Sequence, residues 1–486
     1  MKSAILLLLA MAGAASAQET IVFQNARIHT VTKGNLTGAV VVQNGLITAV
    51  GETVMAPPGA RVVNLNGKHL IPGIIDCHTH IALDSINEGS VSVSSMVDVG
   101  DMLNPESSSI YDALAGGVTV ANSLHGSANA IGGLNVAFKT RWGKDAGGLV
   151  MKEAPPSIKM ALGENPKRQG QGGQSPFGIQ QQLRYPGTRM GVEDVIRSAF
   201  TEARAYRAAW KEYEAKRAKG IQAIAPRKDL KLEPLVEVLE GKRLVHAHAY
   251  RADEILMLLR VSQEFGFKIA ALQHVLEGYK VAKEIAAAGA GASTFSDWWG
   301  YKMEVIDAIP YNAAIMQKKG VLVSLNSDDA SGAELMRRLN TEAAKIVKYG
   351  GVTDDEALAM ITINPARQMG IDKYVGSIEP GKQADLVIYD GDPLSIYSKV
   401  QQVYIDGQLY FDRERDEALR AKKSALKNGL IEKEKADEKR TAPQRPASGA
   451  KPPANESANA TQASTEESGS IASLLADSTN SARRPQ

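Results

Sequence analysis

The residues of this chain best suited to chemistry are two histidines, His78 and His80, in the stretch LIPGIIDCHTHI of residues 70–81. The apolar residues before them predict a buried strand. Because alternate residues of a strand share a face, both imidazoles are expected to point the same way. They either bind a divalent ion such as Zn²⁺, with Asp76 as an orienting carboxylate, or are buried histidines bonded to the backbone.

Other chemically capable side chains also fall where predicted strands end. Segments with the apolar pattern of buried strands occur at 70–76, 117–124, 157–162, 243–249, 267–274, 291–295 and 320–327. His246, His274 and Asp328 lie at the ends of three of them. In a β/α barrel the carboxyl ends of the strands form the active site. Three or four histidines with one carboxylate therefore predict a mononuclear or binuclear metal centre of a hydrolase.

The strands alternate with amphipathic helical segments, which predicts an α/β body over residues 68–370. An insertion at 164–220 interrupts it. Its Gly- and Gln-rich loop is either a lid or substrate wall or a plain surface loop, and a helix follows. Short β segments with Asn-Gly and Asp-Gly turns occur in 18–67 and again in 371–411, which predicts one small β-sandwich built from both chain ends.

The composition and the termini narrow the setting. Residues 1–17 contain one lysine, an apolar run and the small residues ASA, which predicts a cleavable signal peptide and an exported, periplasmic or extracellular protein without a transmembrane segment after its removal. Residues 412–486 predict a charged helix and then a disordered tail. The net charge of +2 gives no indication of a nucleic-acid partner. The single cysteine, Cys77, excludes an intramolecular disulfide and is interpreted as a packing residue.

Taken together, these motifs resemble the amidohydrolase superfamily, in particular its imidazolonepropionase-like and prolidase-like branch. The resemblance covers residues 21–410 and is carried by PGIIDCHTH, VHAHA, QH, NSDD and TINPARQMGIDKYVGSIEPGKQADLVIYDGDPL. It implies a metal-bearing (β/α)8 TIM-like barrel with a small β-sandwich, and one or two divalent ions, Zn²⁺ first and Mn²⁺, Fe²⁺ or Co²⁺ as alternatives. The metal ligands that it implies are His78, His80, His246, His274 and Asp328, with Asp328 also the general base.

The resemblance leaves the bridging ligand of a binuclear centre open. Lys159, in the segment SIKMAL, fits as a carbamylated lysine, and Glu164, just beyond it, offers a loop carboxylate. We favour Lys159, although a mononuclear centre would use neither residue.

Two more histidines are candidates for catalytic roles. His248 shares a strand face with His246, so we assign it to substrate contact or to support of a ligand. His125 follows the strand at 117–124 and either polarises a substrate carbonyl or is a loop histidine bonded to the backbone. Candidates for holding an acidic or aromatic substrate are Arg141, Arg168, Tyr250, Arg251 and Trp298.

The chain is therefore expected to be an exported metal-dependent hydrolase of a small-molecule amide, cyclic amide, dipeptide or N-acyl amino acid, with homo-oligomers as an open alternative to a monomer. A second hypothesis is hydrolytic deamination of a heterocycle. It ranks lower because deaminases of the superfamily commonly carry an acidic proton shuttle after the fifth-strand histidine, where this chain has Ala247 and His248. A third is a non-catalytic binding protein of the cell envelope on the same fold.

Overall fold

The computed structural model describes residues 20–168, 184–330 and 332–441. The predicted signal peptide, most of the Gly- and Gln-rich loop and the predicted disordered tail lie outside these residues. Residues up to Ala421 belong to one compact unit, and a second unit begins at Lys422. Within the described ranges, no helix combines the length and the apolar character needed to cross a lipid bilayer.

The strands are β1 Thr20–His29, β2 Asn35–Gln43, β3 Leu46–Gly51, β4 Arg61–Asn64, β5 His69–Pro72, β6 Ile74–Thr79, β7 Val118–Ser123, β8 Ile131–Leu134, β9 Val136–Lys139, β10 Ser157–Ala161, β11 Leu244–Ala249, β12 Ile269–His274, β13 Gly291–Thr294, β14 Val323–Leu325, β15 Leu386–Tyr389, β16 Val400–Ile405 and β17 Gln408–Asp412. The helices are α1 Ser108–Ala115, α2 Ala146–Leu149, α3 Asn165–Arg168, α4 Arg189–Ala218, α5 Glu233–Leu239, α6 Ala252–Phe265, α7 Ala282–Ala287, α8 Asn312–Lys318, α9 Leu339–Gly350, α10 Asp354–Ala359, α11 Ile363–Gln368 and α12 Arg413–Thr441.

A small β domain combines both ends of the chain. Its sheet has the order β17-β16-β15-β5-β1-β2-β3, and β4 pairs with β1. Strand β5 joins the two halves because it pairs in parallel with β1 and antiparallel with β15. The rings of Phe23 and Tyr404 meet edge-on in its core at 4.8 Å. Residues far apart in sequence thus share one hydrophobic interior.

The barrel strands form two further sheets. Strands β10 to β14 are parallel and in chain order, and β6 pairs in parallel with β7. Between these groups lie β8 and β9, which pair antiparallel with β10 and β7. Each of the seven predicted barrel segments overlaps one of these parallel strands, although the segment 70–76 covers only the first three residues of β6. Residues 131–139 form two strands that were not predicted. Every residue of β6, β7 and β10 is buried, as expected for strands covered on both faces.

The first and last barrel strands meet at their carboxyl ends. The Asp328 N–H donates to the His78 carbonyl at 3.0 Å, and the His80 N–H donates to the Asp329 carbonyl at 2.7 Å. These bonds hold the segment after β14 against the end of β6. The side chains of both segments therefore converge at this end of the barrel.

A buried charge cluster links the barrel to the β domain. The ammonium of Lys139, at the end of β9, lies 2.9 Å from Asp385 Oδ1 and 2.6 Å from Asp406 Oδ1. Arg141 pairs with the other carboxylate oxygen of Asp406 at 2.6 Å. Lys139 is fully buried, so its charge depends on these two carboxylates.

Candidate metal centre

His78 lies near the carboxyl end of β6 and His80 directly follows that strand, and both imidazoles approach Asp328. The His80 ring is oriented by its Nδ1, which donates to the Leu124 carbonyl at 2.7 Å. Its Nε2 lies 3.2 Å from Asp328 Oδ1, and the Nε2 of His78 lies 3.3 Å from the same oxygen. One ligand atom from each of these three residues lies within 4.8 Å of the others. Two imidazoles and a carboxylate at this spacing form a donor set suited to a divalent ion.

Asp76 fixes the backbone rather than a histidine ring. Its carboxylate accepts hydrogen bonds from the His78 N–H at 3.0 Å and from the Ser327 N–H at 3.2 Å. Burial raises its pKa to about 8. The expectation that Asp76 orients an imidazole is therefore wrong, because the carboxylate instead ties β6 to the segment that leads to Asp328.

His274 completes one side of the site. Its ring centroid lies 4.8 Å from that of His78, and its Nε2 lies 3.9 Å from Asp328 Oδ2. Both ring nitrogens are buried and have no hydrogen-bond partner among the described residues. A buried polar group without a partner is costly, so these nitrogens fit a site that receives a metal.

The backbone is strained at two of these residues. His274 has φ 74° and Asp328 has φ 52°, in the left-handed region that non-glycine residues rarely adopt. Such conformations persist where the surrounding structure enforces them, and they cluster at functional sites. The two strained residues here are adjacent members of the same cluster.

His248 extends the cluster from β11. Its ring centroid lies 4.6 Å from that of His274. Its Nδ1 lies 2.9 Å from the Ser127 hydroxyl, whereas its Nε2 is buried and has no partner among the described residues. A histidine that ligates a metal through one nitrogen usually bonds a protein group through the other. His248 has this arrangement.

His246 lies one layer deeper in the barrel. Its Nδ1 is 3.0 Å from the Gln273 side-chain nitrogen. It lines a cavity of about 300 Å³ together with Ser157 and Leu244, which begin β10 and β11. Two residues along a strand correspond to about 6.5 Å, so His246 stands below the level that His248 reaches. The Nε2 of His246 is also buried without a hydrogen-bond partner among the described residues. Its role as a metal ligand therefore stays a prediction, and the nearer contact of His248 with His274 adds a second candidate on the same strand face.

Lys159 reaches the cluster from β10. Its ammonium lies 3.1 Å from His78 Nε2 and 3.3 Å from the His125 carbonyl, and the residue is fully buried. Burial lowers its pKa to about 8. Glu164 is placed differently: its N–H donates to Glu304 Oε2 at 3.0 Å, and its carboxylate lies 3.9 Å from the Lys302 ammonium. Of the two bridge candidates, Lys159 is the one in contact with a histidine of the cluster.

His125 has both ring nitrogens bonded to backbone groups. Its Nδ1 donates to the Gly126 carbonyl at 2.8 Å, and its Nε2 accepts from the Glu88 N–H at 2.9 Å. Burial lowers its pKa to about 4. These contacts match the alternative of a backbone-bonded loop histidine, because no ring nitrogen is left for a substrate.

The five substrate candidates separate into two groups. Tyr250 stacks on His274 at 5.2 Å, and Trp298 stacks on Phe295, which in turn stacks on His274. Arg141 pairs with Asp406 at the β domain, and Arg251 pairs with Asp253 at 3.0 Å. The side chain of Arg168 lies outside the described part of the chain. Arg141 is held at the β domain by Asp406, which argues against its predicted role in substrate binding. The predicted role of Arg251, which pairs with its near neighbour Asp253, stays a prediction.

The electrostatics of the cluster favour neutral imidazoles and an ionised carboxylate. Burial lowers the pKa of His274 to about 3 and the pKa values of His78 and His248 well below the usual histidine value. Burial alone would raise the pKa of Asp328, but His274, His80 and Lys159 outweigh it and lower that pKa to about 2. Neutral imidazole and ionised carboxylate are the forms that bind divalent metals. The residues present therefore fit a metal ion.

The chain is similar to a known protein family, to a solved structure and to curated proteins. The Amidohydrolase family matches residues 69–410. An amidohydrolase of Thermotoga maritima MSB8 has a solved structure that superposes with a TM-score of 0.73 at 35% identity, covering 81% of this chain and 100% of that one. The amidohydrolase tasK of Hapsidospora irregularis is 30% identical over 403 residues, which is 77% of this chain and 40% of the relative. The N-substituted formamide deformylase of Arthrobacter pascens is 37% identical over 133 residues, 24% of each chain.

This chain thus spans less than half the length of the two curated relatives. The solved structure, in contrast, is matched over its whole length. The predicted fold, a TIM-like β/α barrel with a small β domain, is confirmed. From the fold, the histidine cluster and the extent of the family match, the chain belongs to the amidohydrolase family.

Proposed function

We propose that this protein is a metal-dependent hydrolase that cleaves the C–N bond of a small-molecule amide, such as a cyclic amide, a dipeptide or an N-acyl amino acid. One observation carries the proposal. Buried imidazoles with unpartnered nitrogens gather around one ionised carboxylate and one buried lysine. Two relatives, an amidohydrolase and an N-substituted formamide deformylase, are named for C–N hydrolysis.

The proposed metal ligands are His78, His80, His248, His274 and Asp328. His248 replaces His246 in this set because its ring neighbours that of His274. Imidazole and carboxylate donors suit Zn²⁺, and Mn²⁺, Fe²⁺ and Co²⁺ are alternatives. A bound ion would polarise a substrate carbonyl and lower the pKa of water from about 15.7 to about 7.

Asp328 is the proposed general base. Its low pKa keeps the carboxylate ionised near neutral pH, so it is available to accept a proton from the attacking water. A carboxylate is a weak base, and a bound metal ion would make the transfer feasible by acidifying that water. As the water oxygen bonds to the carbonyl carbon and the C–N bond breaks, Asp328 delivers this proton to the leaving nitrogen. The backbone bond from its N–H to the His78 carbonyl keeps the carboxylate beside both β6 histidines during the transfer.

Lys159 is the proposed bridging ligand, as a carbamate. With a pKa of about 8, roughly a tenth of the lysine is neutral at pH 7. The neutral amine attacks carbon dioxide, an N–C bond forms and one proton is released. The resulting anion would sit beside His78, where the ammonium now lies.

The proposal is tested by elemental analysis of the purified protein together with a hydrolysis screen of N-acyl amino acids, dipeptides and cyclic amides. We expect one or two divalent ions per chain and turnover that a chelator abolishes. Protein that holds no metal, and that hydrolyses nothing in the screen after Zn²⁺ or Mn²⁺ is added, would instead support a non-catalytic binding protein. Release of ammonia from purines or pyrimidines, without amide hydrolysis, would support a deaminase.

A further inference from the structure

A continuous series of aromatic rings leads away from the metal centre. The His274 ring is stacked between Tyr250, at 5.2 Å, and Phe295, at 5.0 Å. Phe295 in turn stacks on Trp298 at 4.3 Å, with an angle of 17° between the ring planes. Tyr301 meets Trp298 edge-on at 5.8 Å. The series thus runs from a proposed metal ligand into the segment that follows β13.

The inner and outer rings of this series differ in exposure. Tyr250 and Phe295 are each 3% exposed, so they have almost no surface left for a substrate and pack against the His274 ring instead. Trp298 is only partly buried, and Tyr301 is 49% exposed. A hydrogen bond of 2.9 Å between the Tyr301 and Tyr250 hydroxyls fixes the outer rings to the inner ones. The outer pair therefore offers apolar surface that is rigidly placed two stacked rings from the metal centre.

The charges beside these rings indicate what kind of group they can accept. The Lys302 ammonium lies 4.1 Å above the Tyr250 ring and 5.7 Å from the Tyr301 ring, so a cation already occupies one face of each tyrosine. Glu304 pairs with this ammonium at 2.9 Å and with the Arg189 guanidinium at 3.1 Å, and Arg189 also pairs with Glu254. Two cations thus face two carboxylates, and their charges balance. Neither a cationic nor an anionic group is favoured at this position. The position therefore favours a neutral, flat group.

We propose that Trp298 and Tyr301 form an aromatic subsite that binds a neutral aromatic or large apolar group of the substrate, on one side of the scissile C–N bond. The inference rests on the proposed function and narrows its substrate class. Aromatic rings prefer offset-stacked or edge-on contacts with other aromatic rings, which the partly exposed Trp298 and Tyr301 can provide.

The test compares matched substrates in wild-type and variant enzymes loaded with metal. Pairs of N-acyl amino acids and dipeptides differ only in Phe against Leu, placed first on the acyl side and then on the amine side of the bond. In the wild type we expect higher kcat/KM for the Phe member on one of the two sides. In Trp298→Leu the Phe-to-Leu ratio should fall by about 2- to 12-fold, the factor that corresponds to one aromatic contact.

Trp299→Leu is the matched control, because Trp299 is the next residue, is 48% exposed and stacks with none of the described rings. Its Phe-to-Leu ratio should equal that of the wild type. A wild-type ratio of one or below on both sides overturns the proposal. So does an equal loss for both members of each pair in Trp298→Leu, since a purely structural role predicts that result.

Binding measurements separate this inference from the proposed function. Calorimetric titration of the metal-loaded protein with the same pairs gives the ratio of their dissociation constants without any need for turnover. Tighter binding of the Phe member that is lost in Trp298→Leu, without hydrolysis, would retain the subsite and reject the amide hydrolase. Hydrolysis of both members without an aromatic preference would retain the amide hydrolase and reject the subsite.

Discussion

The imidazole of His248 lies 4.6 Å from that of His274, whereas the imidazole of His246, on the same strand face, contacts Gln273 instead. The two histidines differ by a single step of the strand repeat. We expect their roles to differ, because the ring of the later one neighbours His274, which itself lies beside His78 and Asp328.

We expect His248→Asn to lower metal affinity by more than about 100-fold and to abolish turnover, since loss of an outer hydrogen-bonding partner alone costs about 10- to 100-fold. In His246→Asn, metal affinity and turnover should each stay within about 10-fold of the wild-type values. Metal content by elemental analysis and kcat on the best amide of the screen check this. Full activity in His248→Asn together with an inactive His246→Asn would reverse the assignment.

A second prediction concerns Lys159. Because the carbamate forms from carbon dioxide, reconstitution of metal-free protein with Zn²⁺ should be faster and more complete when bicarbonate is added. Lys159→Glu carries its own carboxylate and should respond to Zn²⁺ equally with and without bicarbonate. Glu164→Gln should respond as the wild type does. A wild-type protein that is indifferent to bicarbonate would contradict the carbamate.

The third prediction concerns the proposed base. Asp328→Asn keeps a side-chain oxygen as a metal ligand but cannot accept the proton, so kcat should fall by about 10²- to 10⁴-fold with KM little changed. Asp329→Asn is the control, because the Asp329 carboxylate accepts from the Leu335 and Met336 N–H groups rather than facing the histidines. Steady-state kinetics at matched metal content compare the two variants. Similar kcat values in both would exclude Asp328 as the base.

The fourth prediction concerns the link between the barrel and the β domain. Lys139→Met leaves Asp385 buried without its cation, and breaking a buried ion pair costs about 3–5 kcal/mol of unfolding free energy. Arg141→Met should cost less, because Arg141 is partly exposed, and should leave KM unchanged. Chemical denaturation measures both losses. Equal losses in the two variants would argue against the special role of Lys139.

The fifth prediction concerns pH and the β domain. His29 Nε2 lies 2.8 Å from His69 Nδ1, so this bond requires at least one neutral ring. Burial lowers both pKa values, against the opposing charge of Asp392. The unfolded chain therefore binds more protons than the folded one as pH falls below the ordinary histidine pKa of about 6.5, and stability falls with it.

The double variant His29→Gln/His69→Gln removes this loss. Its Tm relative to the wild type should rise as the pH is lowered from 7 to 5, and calorimetric scans at the two pH values measure the change. Asp354, Asp355 and Asp392 face His29 and oppose the effect of burial on its pKa, so their influence is part of the difference that is measured. A difference in Tm that is independent of pH would show that the pair does not titrate as proposed.

The sequence predicted those parts of the site that follow from strand periodicity. His78, His80 and Asp328 stand at strand ends, and their apolar neighbours identified the strands that carry them. The choice between His246 and His248 depends on where β11 ends relative to β12, and that register is set by tertiary pairing. The strand periodicity assigned His246 and His248 to the same face, but it could not show which of them lies nearer the carboxyl end of the barrel.

The remaining differences come from contacts between residues far apart in the chain. Arg141 resembles a substrate clamp in sequence, but its partner Asp406 arrives from the β domain. Phe295, Tyr301 and Lys302 carried no signal of their own, because only the packing of their segment onto His274 and Tyr250 shows their position. The strands at 131–139 were missed because IGGL and VAFK are only four residues long, too short to show a clear period, and IGGL also contains two glycines.

The position of β5 in the β domain also bears on the order in which the protein is made. Its partner β15 lies roughly three hundred residues later, so the ribosome synthesises nearly the entire barrel before β5 can pair on that side. Until then its open edge is available to other chains, which is a hazard for aggregation. The sheet thus cannot be completed until the last strands of the chain have been made.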